Sequence, residues 1–282
     1  MDKKILTPPE IAQAIVGAGI KKANLSTTQM ELLGLFAGMF IGFGAHAYIS
    51  VMQTLKHIDV GLMKLIGGAV FPVGLMLVIM AGGELFTGNC LMTLALMDKK
   101  ITLKQMLKNW AIVYATNCIG IATMALLVVK TGYYNVGDPM YDLAMSIASG
   151  KMALDFTTIF LRGVLCNILV VLTVWMVAGA QDMISKIFAC WFPIVVFILG
   201  GFEHSIANMF FLPLAKFAGA DMTWVEIFTK NIIPSTLGNI VGGAIIVPVV
   251  YYFAYILPSK NEQESAKLSS EVYVPITKKV TQ

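Results

Sequence analysis

Long apolar runs separated by short basic or polar breaks fill the chain between residues 30 and 257. Six can be distinguished: 30–53, 62–97, 109–129, 157–179, 187–215 and 231–257. A helix of about 20 apolar residues crosses a hydrocarbon core of about 30 Å, so four of these runs suit one span each. The second run does not. At 36 residues it is too long for one helix and too short for two with a solvated loop. Gly82-Gly-Glu-Leu-Phe-Thr-Gly-Asn89 interrupts it, as Gly200-Gly-Phe-Glu-His-Ser-Ile-Ala-Asn208 interrupts the fifth. A glutamate and a histidine inside an apolar run face protein or a water-filled cavity, not lipid. The glycine pairs ahead of them are places where a helix breaks and backbone groups come free. The second and fifth spans are therefore expected to be broken.

Smaller patterns place the rest. Thr7-Pro-Pro-Glu10 reads as a helix start, and Ile11, Ala14, Ile15 and Ala18 recur at helical spacing up to Lys21 and Lys22. This suits an amphipathic helix in the membrane interface. Lys21 reads as a snorkelling surface lysine; Lys22 is either the same or a cation that draws anions toward a pore. Gly34, Gly38 and Gly42 form one smooth stripe on the first span, against which another helix packs closely. His46, one turn on, reads as a satisfied core histidine. Asn117-Cys-Ile-Gly120 in the third span has a counterpart in Asn239-Ile-Val-Gly242 of the sixth, each after a similar lead-in (Lys108-Asn-Trp110, Lys230-Asn-Ile232). With three spans per half, the two halves insert in opposite directions. The expected fold class is thus an all-α polytopic membrane protein of six transmembrane helices in two inverted three-helix repeats, with the broken helices meeting near the midplane.

Composition agrees with this class. The chain is 57% hydrophobic and 13% charged, against about 25% charged in soluble domains. Its net charge of +4 does not imply a nucleic-acid partner, because position accounts for it. Thirteen of the twenty basic residues fall on the side of the N-terminus, so the positive-inside rule puts both termini in the cytoplasm and the protein in the plasma (inner) membrane. The expected organisation is residues 1–29 as a cytoplasmic lead-in, 30–258 as the channel domain and 259–282 as a polar, flexible cytoplasmic tail. Cys90, Cys118, Cys166 and Cys190 each fall within a span, without a CxxC pair, and read as packed thiols.

Glu84-Leu-Phe-Thr87 after a glycine pair, Leu161-Arg-Gly-Val-Leu-Cys-Asn167, Gly201-Phe-Glu-His-Ser-Ile-Ala-Asn-Met209 and the run 231–243 together resemble the formate/nitrite transporter family, from about Thr7 to Pro258. The resemblance implies a homopentamer of aquaporin-like protomers, each with its own pore for small monovalent anions and protons, seated in a lipid bilayer. It implies no cofactor, metal or nucleic acid. By motif register, Phe71, Val170 and Phe197 would form an outer apolar slit, and Leu75, Leu85 and Phe86 an inner one. Thr87, Asn167 and His204 would lie between them. Lys22 and Lys151 match vestibule lysines, and Glu203 matches the glutamate beside the histidine. Apolar type alone would equally allow ordinary core. Lys151 is expected to concentrate anions at the outer mouth in a salt-dependent way, the alternative being a structural ion pair with Glu203.

Placing a bare monovalent anion in a dry slit costs on the order of 20 kcal/mol. A helix N-terminus returns about 0.3 to 2 kcal/mol, and each hydrogen bond to a charged group about 1.5 to 3. Either water accompanies the ion or it crosses as the neutral acid, so formate, nitrite and hydrosulfide are natural substrates, with formate first. Two readings from other classes fare worse. An enzyme built on Glu203 and His204, or on the three histidines, lacks paired-carboxylate and metal-ligand spacing. A neutral-solute channel of aquaporin type lacks an Asn-Pro-Ala pair.

Overall fold

The computed structural model describes residues 5–261, and apart from one backbone bridge between Ile5 and Ala180 its regular structure is helical. The N-terminal helix α1 (Pro8–Ala23) starts where Thr7-Pro-Pro-Glu10 places it, with the Glu10 carboxylate accepting the Thr7 N–H at 2.7 Å. It is followed by α2 (Thr27–Met52), α3 (Val60–Gly82), α4 (Phe86–Met97), α5 (Leu103–Lys130), α6 (Pro139–Met152) and α7 (Phe156–Gly179). Then come α8 (Met183–Leu199), α9 (Ser205–Phe217) and α10 (Trp224–Asn261). Among the described residues, five helices are long and apolar enough to cross a membrane: α2, extended to His57, then α3, α5, α7 and α10. The expected fifth span is present as two shorter apolar helices, α8 and α9. The polar segment 262–282, most of the expected tail, lies outside the described residues, while residues 259–261 continue α10.

Both breaks turn on a glycine. Gly82 (φ 93°) and Gly201 (φ 62°) adopt the left-handed backbone that a β-carbon disfavours. Beyond each, a few extended residues lose their helical hydrogen bonds and find substitutes on neighbouring helices, as buried backbone groups must. The Glu84 N–H donates to Leu33 O and the Glu203 N–H to Arg162 O. Asn117 of α5 accepts the Phe86 N–H at 2.9 Å and donates to Gly34 O and Glu84 O at 2.8 Å each. Asn239 of α10 repeats the pattern, accepting the Ser205 N–H and donating to Gly163 O and Glu203 O. One side-chain amide thus ties down each break.

The glycine stripe on α2 does what its spacing suggests: a β-carbon at Gly38 would collide with the Asn117 carbonyl of α5. A similar contact joins α7 and α10, where a β-carbon at Gly238 of α10 would strike the Phe160 carbonyl of α7. Close backbone approach is what lets Asn117 and Asn239 reach across.

One element is absent from the sequence reading. Helix α6 precedes the fourth span, buries Met140, Leu143, Ala144 and Ala148, packs against α9 and carries Lys151 in its last turn. Helix α1 likewise packs against α4 and α7 and carries Lys22 in its last turn. Interleaved Asp142, Ser146, Ser149 and Gly150 shorten the apolar pattern of α6, so its helical character rests on packing.

Candidate functional site

Three cavities sharing wall residues run through the helices. A vestibule of about 310 Å³ holds Lys22, Glu84 and Asn89 and ends at Leu75 and Leu85. Those two leucines also wall a central chamber of about 10 Å³, together with Ile41, Val170, Ile194 and His204. The chamber has room for about one water. Its far side is closed by Phe71 and Phe197, whose rings meet edge to face at 5.6 Å between centroids. Beyond them lies a second vestibule of about 170 Å³ with Lys151, Glu203 and Tyr48. Of the expected slit residues, Phe71, Leu75, Leu85, Val170 and Phe197 line this path.

Phe86 does not. Its ring packs against Trp110 and Tyr114, at 5.7 and 4.9 Å between centroids, and lines none of the three cavities. Leu85 is the last extended residue before α4 and Phe86 the first helical one, so the two side chains leave the backbone in different directions, Leu85 toward the chamber and Phe86 toward α5. Thr87 and Asn167 are fully buried behind the chamber wall. Asn167 donates to Thr87 O and Asn239 O, joining the α4 break to α10.

His204 sits at the break before α9, and its two ring nitrogens have separate duties. Nδ1 caps the helix by accepting the Ala207 N–H at 3.0 Å. A nitrogen that accepts carries no proton, so the neutral ring carries its hydrogen on Nε2 and donates it to Thr87 Oγ1, 2.9 Å away. Thr87 and His204 come from the two different broken spans, and this bond bridges them. Any other hydrogen-bond acceptor in the chamber would compete with Thr87 for the same N–H. A second proton on the ring has to go to Nδ1 and displaces the helix cap.

Each vestibule contains the same four-residue network. Lys22 donates to Glu84 at 2.6 Å; Asn89 donates to Glu84 and to Asn109; Asn109 donates to Lys22 O. At the other end Lys151 donates to both Glu203 oxygens at 2.9 and 3.0 Å; Asn208 donates to Glu203 and to Asn231; Asn231 donates to Lys151 O. Both glutamates are buried. A lysine paired this way presents a dipole to approaching anions, not a net charge, and the geometry is that of the alternative, the Lys151–Glu203 ion pair. His46 lies apart from the pore, its Nδ1 2.9 Å from Tyr134 Oη.

The family model described as Formate/nitrite transporter matches residues 9–253. The chain belongs to that family. This transporter is 40% identical over 263 residues to the "Uncharacterized transporter YrhG" of Bacillus subtilis, covering 93% of this chain and 98% of that one. It is 39% identical over 275 residues to the "Probable formate transporter" of Methanothermobacter thermautotrophicus, covering 91% and 99%. Among solved structures it resembles a "Pentameric formate channel with formate bound", with a TM-score of 0.73 and 33% identity, covering 82% of this chain and 98% of that one. The family is one of channels and transporters, and this member is an integral membrane protein with several spanning helices.

The sequence reading did not assign Ile41 and Ile194 to the chamber, Glu84 as the Lys22 partner, or Asn109 and Asn231 as closing members of the networks. A recurrent signal for some of them is present in the sequence: Glu84 and Asn89 are spaced like Glu203 and Asn208. Nothing marks Ile41 or Ile194, because an isoleucine facing a chamber and one facing a core look alike.

Proposed function

We propose that the protein is a channel for small monovalent weak-acid anions, with formate as its first substrate, working as a homopentamer with one pore in each protomer. The observation that carries this reading is the chamber holding His204 between two apolar constrictions, with a lysine–glutamate pair in each vestibule. The relationship to a pentameric formate channel with formate bound supports the substrate and the assembly. A six-span architecture of two inverted repeats is supported by the recurring bonds. Lys22, Gly34, Glu84, Asn89, Asn109 and Asn117 have counterparts in Lys151, Gly163, Glu203, Asn208, Asn231 and Asn239, bonded in the same pattern. In this reading residues 30–258 form the channel domain, both termini are cytoplasmic, and Lys22 lies at the inner mouth.

The chamber size decides how an anion crosses. Dehydrating a monovalent ion costs on the order of 20 kcal/mol in a dry interior, and one His204 N–H supplies about 1.5 to 3. With room for about one water, hydration cannot make up the difference, so the neutral acid is the form that passes the slits. Its proton comes from water in the entry vestibule, where the anion is still hydrated, and returns to water in the opposite vestibule as the anion re-forms. His204 then orients the carboxyl group through Nε2–H, with Thr87 holding the ring until substrate arrives. Asn167 and Asn239 keep the α4 and α9 breaks in register around it.

Stopped-flow light scattering on proteoliposomes tests the reading. Swelling in a formate gradient, without swelling in a glycerol gradient, is the expected result. Glycerol swelling equal to formate swelling would make the protein a neutral-solute channel instead.

A further inference from the structure

An apolar groove of about 490 Å³ lies on the outside of the bundle between α5 and α10. Leu107, Trp110 and Tyr114 form one wall, Ile233 and Leu237 the other, and Phe86 the floor. Across the groove Tyr114 Oη lies 2.8 Å from Thr236 Oγ1, so its one polar rung is already satisfied. Leu107, Ile233 and Leu237 are 44–49% exposed at its rim.

The groove continues into a basic cluster. Lys99, Lys100, Lys104 and Lys108 fall within ten residues at the start of α5, all exposed, and none is in an ion pair among the described residues. Lys104, Lys108 and Ala111 are successive steps along one helix face, and Ala111 lies in the groove. At 1.5 Å per residue, Tyr114 stands about 15 Å below Lys104. That is half of a core of about 30 Å, so lysines at headgroup level put the Tyr114–Thr236 rung near the bilayer midplane. A site with cations at the interface and an apolar slot one leaflet deep is complementary to one class of molecule in a membrane.

We propose that this surface is a binding site for an anionic phospholipid, its phosphate on Lys104 and Lys108 and one acyl chain in the groove down to Tyr114. The chain would lie against the back of Phe86, adjacent to Leu85 of the inner constriction, so lipid composition bears on the pore loop. The site is separate from the pore, and its test does not depend on what the pore conducts.

Trp110 serves as the reporter. In a full-length variant carrying W175F, W191F and W224F, Trp110 is the remaining tryptophan. Reconstituted with increasing mole fractions of acyl-dibrominated phosphatidylglycerol or phosphatidylcholine, its fluorescence should be quenched at a lower mole fraction by the anionic lipid. Two lysines, each contributing roughly fivefold, set a preference of about 25-fold, and K104Q/K108Q should abolish it while leaving the pentamer intact. A111L, which narrows the slot, should reduce quenching by both lipids with the lysines in place. Equal quenching by the two lipids in the parent protein would reduce the site to ordinary annular contact. Absence of quenching by either would mean that a second copy of the chain covers the groove. Either result overturns the proposal.

Discussion

Cutting the Lys151–Glu203 pair from one side and then from both should separate its structural cost from its role in transport. Glu203 is buried, and the Lys151 side chain retains 16% of its exposure. Lys151→Ala leaves a carboxylate with Asn208 Nδ2 at 2.6 Å as its one remaining side-chain donor. Removing one partner of a buried pair costs about 3 to 5 kcal/mol, and partial exposure of the lysine puts this case near the lower figure. Adding Glu203→Gln removes the stranded charge while an amide oxygen still accepts from Asn208, so what remains is about 2 kcal/mol for the two lost hydrogen bonds. The double variant should therefore be about 1 kcal/mol more stable than Lys151→Ala, roughly fivefold in the folded ratio. Unfolding by denaturing detergent from mixed micelles, followed by tryptophan fluorescence, measures the difference. Formate uptake by the double variant, which loses both charges of the pair, should differ from wild type by the same factor at low and high ionic strength, because the intact pair carries little net field for salt to screen, whereas the carboxylate stranded by Lys151→Ala should repel formate most at low salt. A double variant as unstable as the single one would refute the pairing argument, and a loss in the double variant confined to low salt would restore Lys151 as a long-range attractor.

Other expectations follow from the same geometry. Phe71→Ala or Phe197→Ala should open the outer constriction, raise formate flux and admit acetate or lactate, as read by radiolabelled uptake; unchanged flux and selectivity in both would remove these rings from the gate. His204→Asn keeps an oxygen that can cap α9, so the pentamer should survive gel filtration. Its uptake should fall at every external pH with the wild-type profile kept, because His204 orients an acid already protonated in the vestibule; a lost pH dependence would instead make His204 the proton donor, and unchanged uptake would leave it as scaffold. Asn117→Ala and Asn239→Ala should be equally damaging, each stranding buried backbone groups at about 1 to 3 kcal/mol apiece, measured by the same unfolding titration. A large loss in one with none in the other would argue against equivalent halves.

The sequence by itself determined the membrane class, the two broken runs and the family, because length, apolar content and an ionisable residue inside an apolar run are constraints of the bilayer on local sequence. The Glu-Leu-Phe-Thr and Phe-Glu-His-Ser stretches were legible for the same reason: charge and glycine stand out against leucine and valine. Only the tertiary structure decided which apolar residues face the pore. Leu85 and Phe86 are adjacent and equally apolar, yet one walls the chamber and the other meets Trp110, since facing depends on backbone direction after the break. Helix α6 became visible only once α9 was there to cover its short apolar face. The pairing of Lys22 with Glu84 and of Lys151 with Glu203 joins residues distant in sequence, and what brings them together is the packing of α1 on α4 and of α6 on α9. A lysine at a vestibule reads in sequence as a free charge; its partner, and therefore its field, is a property of the fold.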